Sequence, residues 1–288
     1  MNKKSIRFYK DHLVRAVWDE VEEKWYFSIV DVVAAITESS NPRKYWSVLK
    51  TRLKKAGNEL TTRCSQLKLA AADGKLYATD CFAQEDLEAV VKTIPSKNVT
   101  DFLDWFTYSE NSIDGRSKKK AYAFMESNLI ADKDVGTVKA LQQIHAYLFG
   151  GLYDFAGKIR TKTISKGNTL FCLAEYLPQN LENIERMPET TFDEIVDKYV
   201  EMNVAHPFME GNGRSTRIWL DLIFKKRLGV CVDWSMIDKK DYLSAMIESM
   251  RDSGQLKSLL KLALTDRIDD REVFMKGIDY SYYYEQEE

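Results

Sequence analysis

Proline is scarce in this chain, 5 in 288 residues, and cysteine scarcer still at 4. Cys64, Cys81, Cys172 and Cys231 form no C-x-x-C pair, and only 3 histidines are present to assist them. That argues against a zinc site and for reduced, buried thiols. Net charge is slight, −2, so the chain as a whole offers no attraction to nucleic acid or to a membrane surface. No apolar run approaches the roughly 20 residues that span a bilayer, and the opening residues lack a signal-peptide core. The expectation is a cytoplasmic protein with no membrane partner. Repeats and low-complexity blocks are absent as well, and the length suits one or two domains with cores that need no staples.

The charge that is present is uneven. Residues 1–100 carry 17 Lys+Arg against 13 Asp+Glu, leaving the remainder at −6. This first part reads as mixed α and β. "KWYFSIVDVVAAI" starts as an aromatic, β-branched strand and turns helical near Asp31. "NPRKYWSVLKTRLKKAG" has helical spacing, with Trp46, Leu49 and Leu53 on one side, a basic face opposite and Gly57 as the stop. "LKLAAADGKLYATD" reads as two strands about an Asp-Gly turn, and "AQEDLEAVVKTI" as a helix ended by Pro95. Between residues 43 and 68 stand Arg43, Lys44, Lys50, Arg52, Lys54, Lys55, Arg63 and Lys68, with Glu59 the one acid; such a patch suits phosphate contacts.

Residues 110–120, "ENSIDGRSKKK", are polar and without apolar period, and read as a linker. Beyond them helices dominate. Val138, Leu141, Ile144, His145 and Leu148 share one face, as do Phe192, Ile195, Val196, Tyr199, Val200 and Asn203, while "IWLDLIFKKRLG" is apolar nearly all round and so central. The exception is 158–173, "KIRTKTISKGNTLFCL", whose alternation around Lys-Gly-Asn is hairpin chemistry.

The stretch with the most chemistry is "HPFMEGNGRSTR", 206–217. Pro207 stops the helix that runs into His206, and a second helix begins near Gly213 or Arg214. The loop therefore sits at a helix N-terminus, where unpaired N–H groups, approached closely past glycines, bind anions. Arg214 and Arg217 lie on one face and add forked donors for phosphate. Glu210 is the loop's one carboxylate, suited to Mg²⁺ beside phosphates. His206 can accept a hydroxyl proton near neutral pH. Together these parts fit nucleotidyl or phosphoryl transfer.

That stretch resembles the signature of the Fic family, HPFx(D/E)GNGRxxR, at every defined position, and the likeness extends over roughly 116–288. The resemblance implies an all-helical domain with a β-hairpin flap that transfers AMP from ATP–Mg²⁺ to a protein hydroxyl. It implies His206 as the base and Glu210 as the Mg²⁺ ligand. Gly211, Asn212 and Gly213 would form the anion hole, and Arg214 and Arg217 would clamp the β- and γ-phosphates. Lys166, Gly167, Asn168 and Thr169 of the flap would border nucleotide and target. In the C-terminal tail, Ser281 and Glu285 match the (S/T)xxxE(G/N) pattern of the family's inhibitory helix, except that Gln286 follows. Glu285 would then pair with Arg217. Tyr282 stands where the C-terminal group modifies itself, and oligomer contacts hold that helix in such members. "ENSIDG" faintly resembles the N-terminal version of the motif, with Glu110 where Ser or Thr belongs.

Residues 1–100 resemble the BRO N-terminal domain of phage antirepressors, which implies DNA binding; the basic patch, with Arg43, Lys44, Lys50, Arg52, Lys54 and Lys55, supplies candidate phosphate contacts for it. The combined expectation is multidomain: an α+β domain over 1–109, a linker over 110–120, and the Fic domain over 121–288 with its inhibitory helix at 270–286. Two alternatives stand beside the transferase. One is a DNA-binding regulator whose Fic domain serves for oligomerisation or sensing. The other is an altered Fic chemistry such as removal of AMP.

Overall fold

The computed structural model describes residues 4–9, 12–37, 39–71, 75–125, 135–167 and 169–286. The chain divides into two compact units, one ending at Ser112 and one starting at Ile113.

The first unit is α+β. Strands β1 (Lys4–Tyr9), β2 (His12–Asp19) and β3 (Lys24–Ser28) precede helices α1 (Ile29–Thr37) and α2 (Pro42–Lys55). Strands β4 (Ser65–Ala70) and β5 (Leu76–Ala83) follow, then helices α3 (Gln84–Val91) and α4 (Val99–Asn111). The five strands form one sheet in the order β1-β2-β3-β5-β4, antiparallel throughout, with Phe27 opposite both Ala16 and Phe82. Period-2 burial explains its inner face: Val14, Ala16, Phe27 and Phe82 are buried with Val32, Val33 and Ile36 of α1 and Phe102 and Phe106 of α4. The expected Asp-Gly turn between β4 and β5 lies outside the described residues.

Helix α2 begins where Asn41 caps Lys44 N at 3.0 Å and Pro42 takes the first turn. Its apolar stripe, Trp46, Leu49 and Leu53, is buried as its spacing predicts. On its outer face Arg43, Lys44, Arg52, Lys54 and Lys55 are exposed, and none is ion-paired among the described residues. Lys50 departs from the expectation of a DNA contact. It is half-buried, with Nζ 2.6 Å from Asp80 and 3.5 Å from Cys64 Sγ, so its charge is met inside the unit.

The second unit is helical. It opens on α5 (Ile113–Phe124), so the segment expected to be a linker is helix on both sides of a break at Ser112. The reason is tertiary. Ser117, Lys118, Ala121 and Tyr122 of α5 are buried through partners distant in sequence, which no apolar period could announce. Next come α6 (Val138–Phe149) and the hairpin β6 (Ser165–Lys166) and β7 (Thr169–Leu170), then α7 (Leu177–Glu185), α8 (Phe192–Ala205) and α9 (Asn212–Leu228). The remainder is β8 (Cys231–Val232), α10 (Lys239–Glu248), α11 (Gly254–Leu262), β9 (Leu264–Thr265) and α12 (Arg271–Tyr283). Helix α9 is the buried centre, packed by α6, α8 and α12. No helix among the described residues is long and apolar enough to cross a membrane.

Candidate active site

Helix α8 starts in a capping box between Thr191 and Glu194 and ends at His206, whose backbone is left-handed at φ 47°, ψ 63°. A left-handed non-glycine residue costs roughly 1–3 kcal/mol and persists only where its surroundings hold it. Here Pro207 forbids continuation of the helix, and His206 N–H caps it on Met202 O at 3.1 Å. The imidazole stacks on Phe171 with centroids 3.7 Å apart. Its Nδ1 lies 3.1 Å from Asn203 O; a carbonyl only accepts, so Nδ1 carries the proton and Nε2 keeps a lone pair. Burial, more than the nearby Lys166 and Arg160 charges, lowers the His206 pKa to about 4 and keeps the ring neutral.

The loop after His206 is fixed from within. The Asn212 amide accepts from Phe208 N and donates to Phe208 O, both at 2.8 Å. His145, buried on α6, holds the next peptide: its Nδ1 accepts from Gly157 N and its Nε2–H donates to Glu210 O, each at 2.8 Å. Burial lowers its pKa to about 4, which preserves that tautomer. Gly211 has φ 80°, and a Cβ there would stand 2.4 Å from a Phe149 ring carbon, so the turn into α9 needs glycine twice over.

Arg214 and Arg217 then rise from the first two turns of α9, both buried. Arg214 pairs with Glu210 at 2.9 Å and with Asp114 of α5, and lies over the rings of Phe149 and Tyr282. Its Nε is buried with no partner among the described residues, a donor position a further acceptor could use. Arg217 Nη2 meets Glu285 Oε1 at 2.5 Å, while Ser281 accepts through Oγ at 2.8 Å and through its carbonyl at 2.7 Å. Tyr242 and Tyr284 flank the guanidinium, with centroids 5.6 and 5.5 Å away. Glu285 presses so close to the α9 N-terminus that a Cβ on Gly213 would lie 2.2 Å from Oε1. Burial alone would raise the Glu285 pKa, but Arg217 and Arg214 outweigh it and hold it at about 2. A carboxylate of the chain itself thus lies against the N-terminus of α9, paired with Arg217.

Helix α12 is firmly seated. Asp279 is buried against Lys118 at 2.7 Å and Tyr122, and the Tyr284 hydroxyl reaches the carbonyls of Trp234 and Ile237 at 2.9 and 2.8 Å. Gln286, where the pattern has Gly or Asn, takes part through its carbonyl, which accepts from Lys239 at 2.7 Å. The Tyr282 hydroxyl is buried and donates to Ser117 Oγ at 2.9 Å, so any modification of it must follow undocking of α12 rather than start it. In the flap, Lys166 is exposed with Nζ 3.8 Å from Glu285, Gly167 turns at φ 57°, Thr169 is half-buried, and Asn168 lies outside the described residues.

Asp114, His145, Arg160 and Tyr242 were not singled out for the site from the sequence. Each reaches it across dozens of residues, and none stands in a motif that marks it.

A family model described as "Fic/DOC family" matches residues 136–224. Protein adenylyltransferase VbhT of Bartonella schoenbuchensis is 32% identical over 147 residues, which is 46% of this chain and 30% of that protein. The probable protein adenylyltransferase y4lH of Sinorhizobium fredii is 31% identical over 140 residues, 44% of this chain and 70% of that one. This chain therefore spans under a third of VbhT and over two thirds of y4lH. Among solved structures, BepC of Bartonella tribocorum, crystallised with bound AMPPNP, aligns over 53% of this chain and 84% of its own, at 20% identity and a TM-score of 0.45. The motif geometry and these relatives together make the chain a member of the Fic/DOC family.

Proposed function

We propose that the chain is a protein adenylyltransferase restrained by its own C-terminal helix. The observation that carries this reading is the carboxylate of Glu285 held by Arg217 at the N-terminus of α9, 2.5 Å from Nη2, in the place a phosphate would take.

In the reaction, an acceptor Ser, Thr or Tyr hydroxyl of a target protein attacks the α-phosphorus of ATP. The new O–P bond forms as the bond to the bridging oxygen breaks, and pyrophosphate leaves with that electron pair. The hydroxyl proton passes to His206 Nε2, the nitrogen left free by the Asn203 contact. Arg214 and Arg217 hold the β- and γ-phosphates once their carboxylates yield, and the N–H groups at Gly211, Asn212 and Gly213 line the anion hole. The donor set also fits Mg²⁺. Glu210 is 55% exposed at the loop and would hold the ion beside phosphate oxygens and water, where it would neutralise charge on the phosphates. Incubation with α-labelled ATP tests the reading: label transferred to protein hydroxyls supports it, and none from any form of the chain refutes it.

Restraint on this reading is double. Glu285 occupies Arg217, and Asp114, in the stretch first read as a linker, occupies Arg214. The Asp114 side chain is 53% exposed, and pairs of that kind are worth about 1 kcal/mol or less. Asp114→Asn placed in a Glu285→Gly chain is expected to tighten Mg·AMPPNP binding by about two- to fivefold. Calorimetry checks this, and unchanged or weaker binding would show that Asp114 does not compete.

The exposed basic face of α2 supports a second role, contact with DNA phosphates. Charge reversal of Lys54 and Lys55 should abolish a gel shift that is present at low salt. A shift that survives the reversal removes α2 from the interface.

A further inference from the structure

Arg160 is 4% exposed, and no carboxylate pairs with it among the described residues. Burying a charge without a counter-ion is costly unless dipoles replace the lost water. Here four carbonyls do. Nε–H donates to His206 O at 2.7 Å and Nη1 to Lys162 O at 2.6 Å. Nη2 is shared between Cys172 O at 2.5 Å and Ala205 O at 3.0 Å. Ala205 and His206 present two of the orphan carbonyls at the C-terminus of α8, the negative end of its dipole. Lys162 and Cys172 lie just before and just after the β6–β7 hairpin. The backbone follows the same lines, with Arg160 N–H on Pro207 O at 2.9 Å and Cys172 N–H on Val204 O at 3.2 Å.

We infer that Arg160 is a positioning residue for the hydroxyl acceptor, tying the backbone of His206 and both arms of the flap into one rigid frame. One planar fork fixes three strands of chain at once. Phe171, next to Cys172, therefore stays stacked on the His206 ring, and His206 stays in its strained left-handed conformation. Lysine, with a single ammonium on a flexible stem, cannot span that set of acceptors. The nucleotide loop is anchored separately by Asn212 and His145, so Arg160 bears on the acceptor side of the reaction and not on nucleotide affinity. The inference rests on the transferase reading, since it needs an acceptor to position.

The test uses the full chain carrying Glu285→Gly, alone and combined with Arg160→Lys or Arg160→Gln. Calorimetry with Mg·AMPPNP should give affinities within threefold of the parent. Labelling of the chain's own hydroxyls from α-labelled ATP should fall at least tenfold, because misplacing reacting groups by about 1 Å costs on the order of 100-fold. The NMR titration midpoint of His206 should rise from about 4 towards the ordinary histidine value of about 6.5 as the frame loosens. Labelling within threefold of the parent, a matched loss of AMPPNP affinity, or loss of cooperative melting in both variants would overturn the inference. If the Glu285→Gly parent itself does not label, the transferase reading is at fault, and the His206 midpoint alone still shows whether Arg160 holds the frame.

Discussion

Glu285→Gly is expected to turn a weakly labelling protein into a strongly labelling one when incubated with α-labelled ATP and magnesium. In the folded chain, Arg217 is saturated by Glu285 and Ser281 and boxed by Tyr242 and Tyr284. A triphosphate can use Arg217 only in the fraction of molecules where the carboxylate has left, and apparent affinity falls by that fraction. The pair is buried, and Glu285 ionises at about 2, so it is charged at any working pH. Removing it should therefore raise nucleotide affinity and labelling at least about tenfold, equal to roughly 1.4 kcal/mol. The same change leaves Arg217 buried without its counter-ion, which costs about 3–5 kcal/mol. For a unit of this size the melting temperature should fall by about 6–20 °C and recover when Mg·AMPPNP is added. Unchanged labelling together with unchanged melting would mean that Glu285 restrains nothing.

His206→Ala should do the opposite: nucleotide binding kept, transfer lost. Among the described residues the histidine touches none of the groups proposed to bind phosphate; its partners are Asn203 O, Met202 O, Arg160 Nε and the Phe171 ring. Its proposed work is to take the hydroxyl proton, a contribution of about 10²–10⁴ in rate. In the Glu285→Gly background, labelling should drop by that factor while the AMPPNP affinity stays within threefold. The pH profile carries a sign. With the ring's pKa lowered to about 4, the base is already deprotonated at neutral pH, so the rate should be flat from about 6 upward and decline only towards 4. A rate that climbed steeply between pH 6 and 8 would assign the titration to another group.

How much of this was legible before the structure follows from how local each feature is. The helix–loop–helix joint at 206–217 was legible because Pro207 and Gly211 dictate where one helix stops and the next starts, with a histidine, a carboxylate and two arginines contiguous within it. The spacing of four suggests that Ser281 and Glu285 share a helix face; instead α12 ends at Tyr283, and Glu285 reaches Arg217 from the turn that follows while Ser281 reaches it from the last helical turn. The clamp at Arg160 was hidden, since its partners are carbonyls and any residue supplies a carbonyl. Asp114 was hidden for another reason. Helix α5 contains Gly115, costly by about 1 kcal/mol, and its buried residues mix the polar Ser117 and Lys118 with Ala121, Tyr122 and Phe124, so no clean apolar stripe marks it. Tertiary partners such as Asp279 made a helix of what propensity would leave as a linker. Lys50 misled in the opposite sense: a lysine within a basic run looked available, but Asp80, thirty residues on, had already taken it.

Calorimetric titration of Mg·AMPPNP into the wild-type chain, the Glu285→Gly chain and the Glu285→Gly chain with Arg217→Ala bears most directly on the competition between carboxylate and phosphate at Arg217. Binding should be weak in the first, at least tenfold tighter in the second, and weak again in the third. Equal affinity in all three, or no heat from any of them, would contradict a triphosphate docking at the N-terminus of α9.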